Sequence, residues 1–168
     1  GQDETITFDS NQQFGGRKRA LHLVAEAGAE EWKDGGPAPL VSVLTLAGTD
    51  VNATDGNQQT PLHVSAAEGS EAACRVLIEH RANVNAQDED GYTALMRASA
   101  NGHTDTVRVL LKAKAAIHIK GRNGKTALML ACANEQEAAA GELMEATKLA
   151  GALDLQVGHG AWLGACMV

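Results

Sequence analysis

The stretch Ala82–Leu111, ANVNAQDEDGYTALMRASANGHTDTVRVLL, decides how this chain folds. Its middle, TALMRASANG from Thr93, opens on a good helix N-cap and runs through Ala and Leu. It ends on Gly102, a residue able to take the positive φ that a tight helix–helix turn requires. The following TDTVRVLLK sets Val107, Leu110 and Leu111 at the spacing of one apolar helix face. The preceding NVNAQDEDG is rich in Asn, Asp and Gly and reads as a β-turn finger. One unit is therefore a finger, a helix, a turn and a second helix.

The same unit recurs along the chain. Thr60, Thr93 and Thr126 are spaced by 33, and so are Leu44, Leu77, Leu110 and Leu143. Asn52, Asn85 and His118 keep that step, each preceded by Val or Ile. Several independent registers in agreement identify an internal repeat, in which each unit buries its face only against its neighbours.

TPLH at Thr60–His63, NGHTDTVRVLL at Asn101–Leu111 and ANVNAQDEDGYTAL at Ala82–Leu95 closely resemble the ankyrin repeat. The resemblance implies an all-α repeat solenoid of antiparallel helix pairs, each with a projecting β-hairpin finger. It also implies protein binding through the fingers and the inner, first helices. About four repeats are expected over Arg17–Gln156, at 17–53, 54–86, 87–119 and 120–156. Residues 1–16 form a polar arm, and 157–168 an apolar tail or cap.

The terminal repeats depart from the pattern. Leu21 lies 41 residues before Leu62, and removing Ala29–Gly36 restores the step of 33, which places an eight-residue insertion in repeat one. In repeat four Glu135 stands where Gly69 and Gly102 stand, so a differently shaped turn is expected there. Its second helix is expected to run about one turn longer than the others. Repeat two has Gln58 in the place of Gly91 and Gly124, which predicts a displaced finger.

Composition narrows the function. Only 3% of residues are aromatic, so the core must be built from Leu, Val, Ile, Met and Ala. A net charge of −7 argues against nucleic acid as the main partner. Cys74, Cys132 and Cys166 are an odd number with no CxxC pair, which favours reduced thiols in an intracellular reducing compartment such as cytoplasm, nucleus or organelle stroma or matrix. No apolar run reaches the roughly 20 residues of a membrane span. The histidines form no HxxxH or HExxH pattern, and no nucleophile–base pair or phosphate loop stands out. Neither catalytic residues nor a metal or other cofactor are expected. His22 and His63 stand where ankyrin repeats carry a turn-bracing histidine, and Met96 and Met129 replace them elsewhere. Asn52 and Asn85 are likewise read as turn-bracing.

Contact residues follow from the resemblance, position by position. They are Glu89, Asp90, Tyr92 and Asn101 in repeat three, and Arg122, Asn123, Lys125 and Asn134 in repeat four. Tyr92 is the expected anchor, because Tyr is enriched at interface hot spots. From Arg108 to Lys125 the chain carries six basic residues and no acidic one. Lys120, Arg122 and Lys125 are therefore expected to face an acidic partner surface. Trp32, in the insertion, and Trp162, in the tail, either cap the fold or anchor a partner.

A non-catalytic scaffold or adaptor, working in a hetero-complex, is the leading expectation. Two other roles stay open. One is a structural linker subunit of a large organellar or membrane-associated complex, such as a photosynthetic or respiratory one. The other is a targeting module of a larger enzyme.

Overall fold

The computed structural model describes residues 13–14, 18–26 and 38–149. Four helix pairs follow one another: α1 (Ala20–Glu26) and α2 (Ala38–Leu46), α3 (Pro61–Ala67) and α4 (Glu71–Glu79), α5 (Ala94–Ala100) and α6 (Thr104–Lys112), α7 (Ala127–Ala133) and α8 (Glu137–Leu149). The first helices pack in the order α1, α3, α5, α7, and the second helices in the order α2, α4, α6, α8. Two parallel layers of helices result, as the 33-residue period requires.

Local chemistry starts and stops each helix. Thr93 and Thr126 hold extended backbone, and their Oγ1 atoms accept from the Met96 and Met129 N–H groups at 3.3 and 3.4 Å. Thr60 turns its hydroxyl onto His63 Nδ1 at 2.8 Å instead, and Pro61 fills the first helical position. The helices α3, α5 and α7 then end on a left-handed residue: Gly69 at φ 73°, Gly102 at φ 77° and Glu135 at φ 59°. The next N–H reaches back to close the turn, Ser70 to the Ser65 carbonyl at 2.9 Å and Gln136 to the Ala131 carbonyl at 2.9 Å. Glu135 thus makes the same turn as the glycines, contrary to the expectation of a different shape.

The fingers behave the same way. Asp55, Asp88 and Gly121 donate their N–H groups to the carbonyls of Gln59, Tyr92 and Lys125 at 2.9, 2.9 and 3.0 Å. Gln58, Gly91 and Gly124 all sit at positive φ within these loops. Gln58 is therefore not displaced; it adopts the glycine conformation at a cost in backbone strain. In the first repeat, β1 (Gln13–Phe14) pairs antiparallel with β2 (Lys18–Arg19), and Phe14 faces Lys18. That pair lies 41 residues before Asp55 and Gln59, so it occupies the place of the first finger, ahead of the start assigned at Arg17.

Two columns of leucines form the spine of the core. Leu21, Leu62 and Leu95 are buried on the first helices, and Leu77, Leu110 and Leu143 on the second. Val41, Cys74 and Val107 share another column, where the Cys74 thiol serves as a small apolar side chain. Burial, with the Glu71 carboxylate, pushes that thiol up to about 12. Cys132 is partly buried and packs against the core. The helix α8 has 13 residues, against nine in α2, α4 and α6. The insertion with Trp32 and the tail with Trp162 lie outside the described residues.

The left-handed conformation costs a side-chain-bearing residue about 1–2 kcal/mol, of which glycine's extra chain entropy offsets about 0.5–1 kcal/mol. Gln58→Gly and Glu135→Gly should therefore each stabilise the fold by roughly 0.5–1 kcal/mol, read as a rise in urea midpoint. Gly102→Ala should destabilise it, because alanine at φ 77° carries left-handed backbone strain and the Gln136 side chain must also move aside. A lower midpoint for both glycine variants would contradict the shared turn geometry.

Candidate protein-binding edge

Aspartates shape the fingers from within. Asp55 Oδ1 accepts from the N–H groups of Asn57 and Gln59 at 2.8 and 2.9 Å. Asp88 Oδ1 does the same for Asp90 and Tyr92 at 3.0 and 2.9 Å. In the fourth finger Gly121 takes the aspartate's place, and Asn123 Oδ1 accepts from the Lys125 N–H at 3.0 Å. The reason is steric: a Cβ on Gly121 would sit 2.5 Å from the ring of Tyr92.

Successive fingers are joined by their backbones. The Glu89 N–H donates to the Asn57 carbonyl at 3.1 Å, and the Arg122 N–H to the Asp90 carbonyl at 2.9 Å. Gln87 Nε2 adds bonds to the carbonyls of Gly91, at 2.7 Å, and Lys120, at 3.3 Å. Behind them, Asn52 Oδ1 accepts from the Asn83 N–H at 2.7 Å and Asn85 Oδ1 from the Ala116 N–H at 2.8 Å. These two asparagines brace the next repeat, as expected. The fingers of repeats two to four thus form one continuous edge.

Tyr92 is the most organised side chain on that edge. Its hydroxyl accepts from Asn123 Nδ2 at 2.6 Å, and the Arg97 guanidinium lies 4.9 Å from its ring centroid. Arg97 Nε also donates to Asp88 Oδ2 at 2.9 Å, and Arg97 reaches the Asp90 carboxylate at 3.3 Å. The Asp88 side chain is 0% exposed and that of Arg97 26%, so this is a largely desolvated ion pair. It clamps the third finger to α5. Arg97 was not among the expected site residues. The signal for it was there, a charge in the column that holds Val64 in repeat two and Leu130 in repeat four.

His63 fastens the same finger from the other side. Its Nδ1 accepts from the Thr60 N–H at 3.1 Å, so its Nε2 carries the proton given to the Tyr92 carbonyl at 3.0 Å. His22 repeats the device, with Nε2 2.7 Å from the Gln59 carbonyl. The two bonds span 37 and 29 residues, and the difference of eight is the length of the insertion in repeat one. Desolvation holds His63 below the ordinary histidine range, despite its bond to Tyr92.

The expected contact residues divide into two kinds. Glu89, Asp90, Lys120, Arg122, Asn123 and Lys125 are exposed on the third and fourth fingers, while Tyr92 is half-buried. Asn101 and Asn134 are exposed at the ends of α5 and α7, but their Nδ2 groups donate to the carbonyls of Ala67 and Ala100, both at 2.8 Å. Each amide commits one of its two N–H groups to the stack. Arg108, counted in the basic run, pairs with Asp105 and Glu142. Hydrogen bonding to Glu142 first, and then its charge, raises the Arg108 pKa further. Lys120, Arg122 and Lys125 form no ion pair among the described residues. Among these residues no cluster of three metal-ligating side chains occurs, and no helix is long and apolar enough to cross a membrane.

Removing Asp88 strands Arg97 and two finger N–H groups. Asp88→Ala should cost about 2–4 kcal/mol, against about 1 kcal/mol for Asp55→Ala, in paired urea denaturation curves. Equal losses would deny the clamp. His63 supplies a pH test. Unfolded, it takes up a proton near its ordinary value of 6.5; folded, it resists until lower pH. Its contribution is complete above 6.5 and is lost as pH falls from there toward the folded pKa. The urea midpoint should fall between about pH 7.5 and about pH 5.5, and less steeply in His63→Met. An unchanged slope would refute the buried neutral imidazole.

Known proteins agree with this geometry. A family model described as ankyrin repeats (3 copies) matches residues 21–121. The chain is 39% identical over 61 residues to protein phosphatase 1 regulatory subunit 12A of Mus musculus, and equally to that of Rattus norvegicus. The match covers 36% of this chain and 5% of each relative, so the chain spans a small part of these proteins. With the repeat period, the stacked helix pairs and the family match in agreement, the chain belongs to the ankyrin-repeat family.

Proposed function

We propose that this chain is a non-catalytic adaptor that holds a protein partner against the fingers of repeats three and four. Ankyrin repeats are protein-binding units, and here the binding edge is rigid before any partner arrives. The observation that carries the reading is the set of exposed cations Lys120, Arg122 and Lys125, without ion pairs among the described residues, beside the clamped Tyr92. They fit an acidic protein surface within a hetero-complex. Charges at such a rim steer encounter and fix orientation more than they add affinity. The relatives are by name regulatory subunits of a phosphatase, which supports an adaptor role inside a larger enzyme assembly. The low share of each relative that is matched favours, as a second reading, a targeting module within a longer protein.

Affinity purification from the native source, with identification of co-purifying proteins, tests the adaptor. The partner so identified should bind K120E/R122E/K125E at least about tenfold more weakly than wild type at low salt. A control, R81E/K112E/K114E, carries the same change in charge on the ends of α4 and α6 and should bind normally. Undiminished binding by the finger variant would reject this edge as the contact.

A further inference from the structure

On the third and fourth fingers the exposed charges differ in sign. Glu89, on the third finger, is exposed and has no ion-pair partner among the described residues, while Glu68 and Glu135 are exposed away from the fingers, at the ends of α3 and α7. Asp90 keeps its side chain 63% exposed while one oxygen touches Arg97. One finger further on, Lys120, Arg122 and Lys125 are exposed, equally without ion pairs, and no carboxylate stands among them. The sign changes where the Asp90 carbonyl accepts the Arg122 N–H, beside the Tyr92 ring. The outer helices behave differently. There Glu71 pairs with Arg75, Arg108 with Asp105 and Glu142, and Lys148 with Glu145. Those pairs neutralise part of the outer face, whereas the three cations of the fourth finger have no carboxylate partner among the described residues.

We propose that the edge reads charge order: it takes an extended segment of a protein partner with basic residues against the third finger and acidic residues against the fourth. This rests on the protein-binding function proposed above and adds the chemistry of the partner. Spacing sets the register. Packed helices lie about 8–10 Å apart, and an extended chain advances about 3.3 Å per residue. One repeat therefore spans about three partner residues, and the basic and acidic blocks are separated by a spacer of that length. The apolar contact falls at the spacer, over Tyr92. A uniformly anionic partner such as nucleic acid or an anionic membrane meets repulsion from Glu89 and Asp90, which disfavours both.

Two fluorescein-labelled peptides of one composition test the inference by anisotropy at low ionic strength. One is blocked, Lys-Lys-Lys-Gly-Ser-Gly-Glu-Glu-Glu; the other alternates Lys and Glu around the same spacer. The blocked peptide should bind at least about tenfold more tightly, and K120E/R122E/K125E should erase that preference. R81E/K112E/K114E should retain it. Binding of the two peptides within about twofold of each other overturns charge order, as does an equal loss of preference in the control. Tighter binding to phosphatidylserine vesicles or single-stranded DNA than to the blocked peptide also overturns it. If the peptides bind alike while the purified partner still requires the three cations, charge order fails and the proposed adaptor function stands. If the partner ignores the fingers, the adaptor reading itself fails.

Discussion

Each repeat completes its polar backbone with side chains from the next or the previous repeat, and the rest of the structure depends on that exchange. The His22 and His63 imidazoles hold the finger carbonyls that follow them. Asn52 and Asn85 accept from the next turn, and Asn101 and Asn134 donate to the preceding helix. Buried leucine columns supply the non-directional attraction, but leucines alone would tolerate sliding. The bonds are directional, and their register is what turns a set of helix pairs into a stack with one defined edge.

Much of this was legible in the sequence because repetition multiplies weak signals. A single Thr before an apolar run is a poor predictor of a helix start; three at one spacing are not. Even the eight-residue insertion could be located by register, and the histidine bonds carry the same offset. What escaped was set by three-dimensional neighbours. Gln58 and Glu135 lack glycine's freedom, yet the turns on either side are held by bonds that outweigh the strain at one residue. The Arg97–Asp88 clamp joins residues nine apart on different elements; the period marks Arg97 as a charge in an apolar column but does not name its partner. Gly121 reads as a lost aspartate until the Tyr92 ring is seen in its space.

The candidate site follows from these same constraints. A finger that must be ordered on binding would lose side-chain and backbone entropy at that moment, at a cost to affinity. Here the third finger is already tied by His63, Arg97 and its neighbour's Asn123, so a partner bound there, as proposed, would meet an ordered surface. On the same proposal the exposed cations of the fourth finger would set its orientation. Asn101 and Asn134 show the converse: exposed amides with one N–H each already committed to the stack.

Lysine reactivity in the native complex tests the central claim most directly. Lys120 and Lys125 lie on the finger edge, whereas Lys112 and Lys148 lie on the outer helices. Amine acetylation of the free protein and of its purified complex, compared by mass spectrometry, reports which face is covered. The account predicts protection of Lys120 and Lys125 with Lys112 and Lys148 unchanged. Protection of the outer-helix lysines, with the finger lysines still reactive, would contradict it.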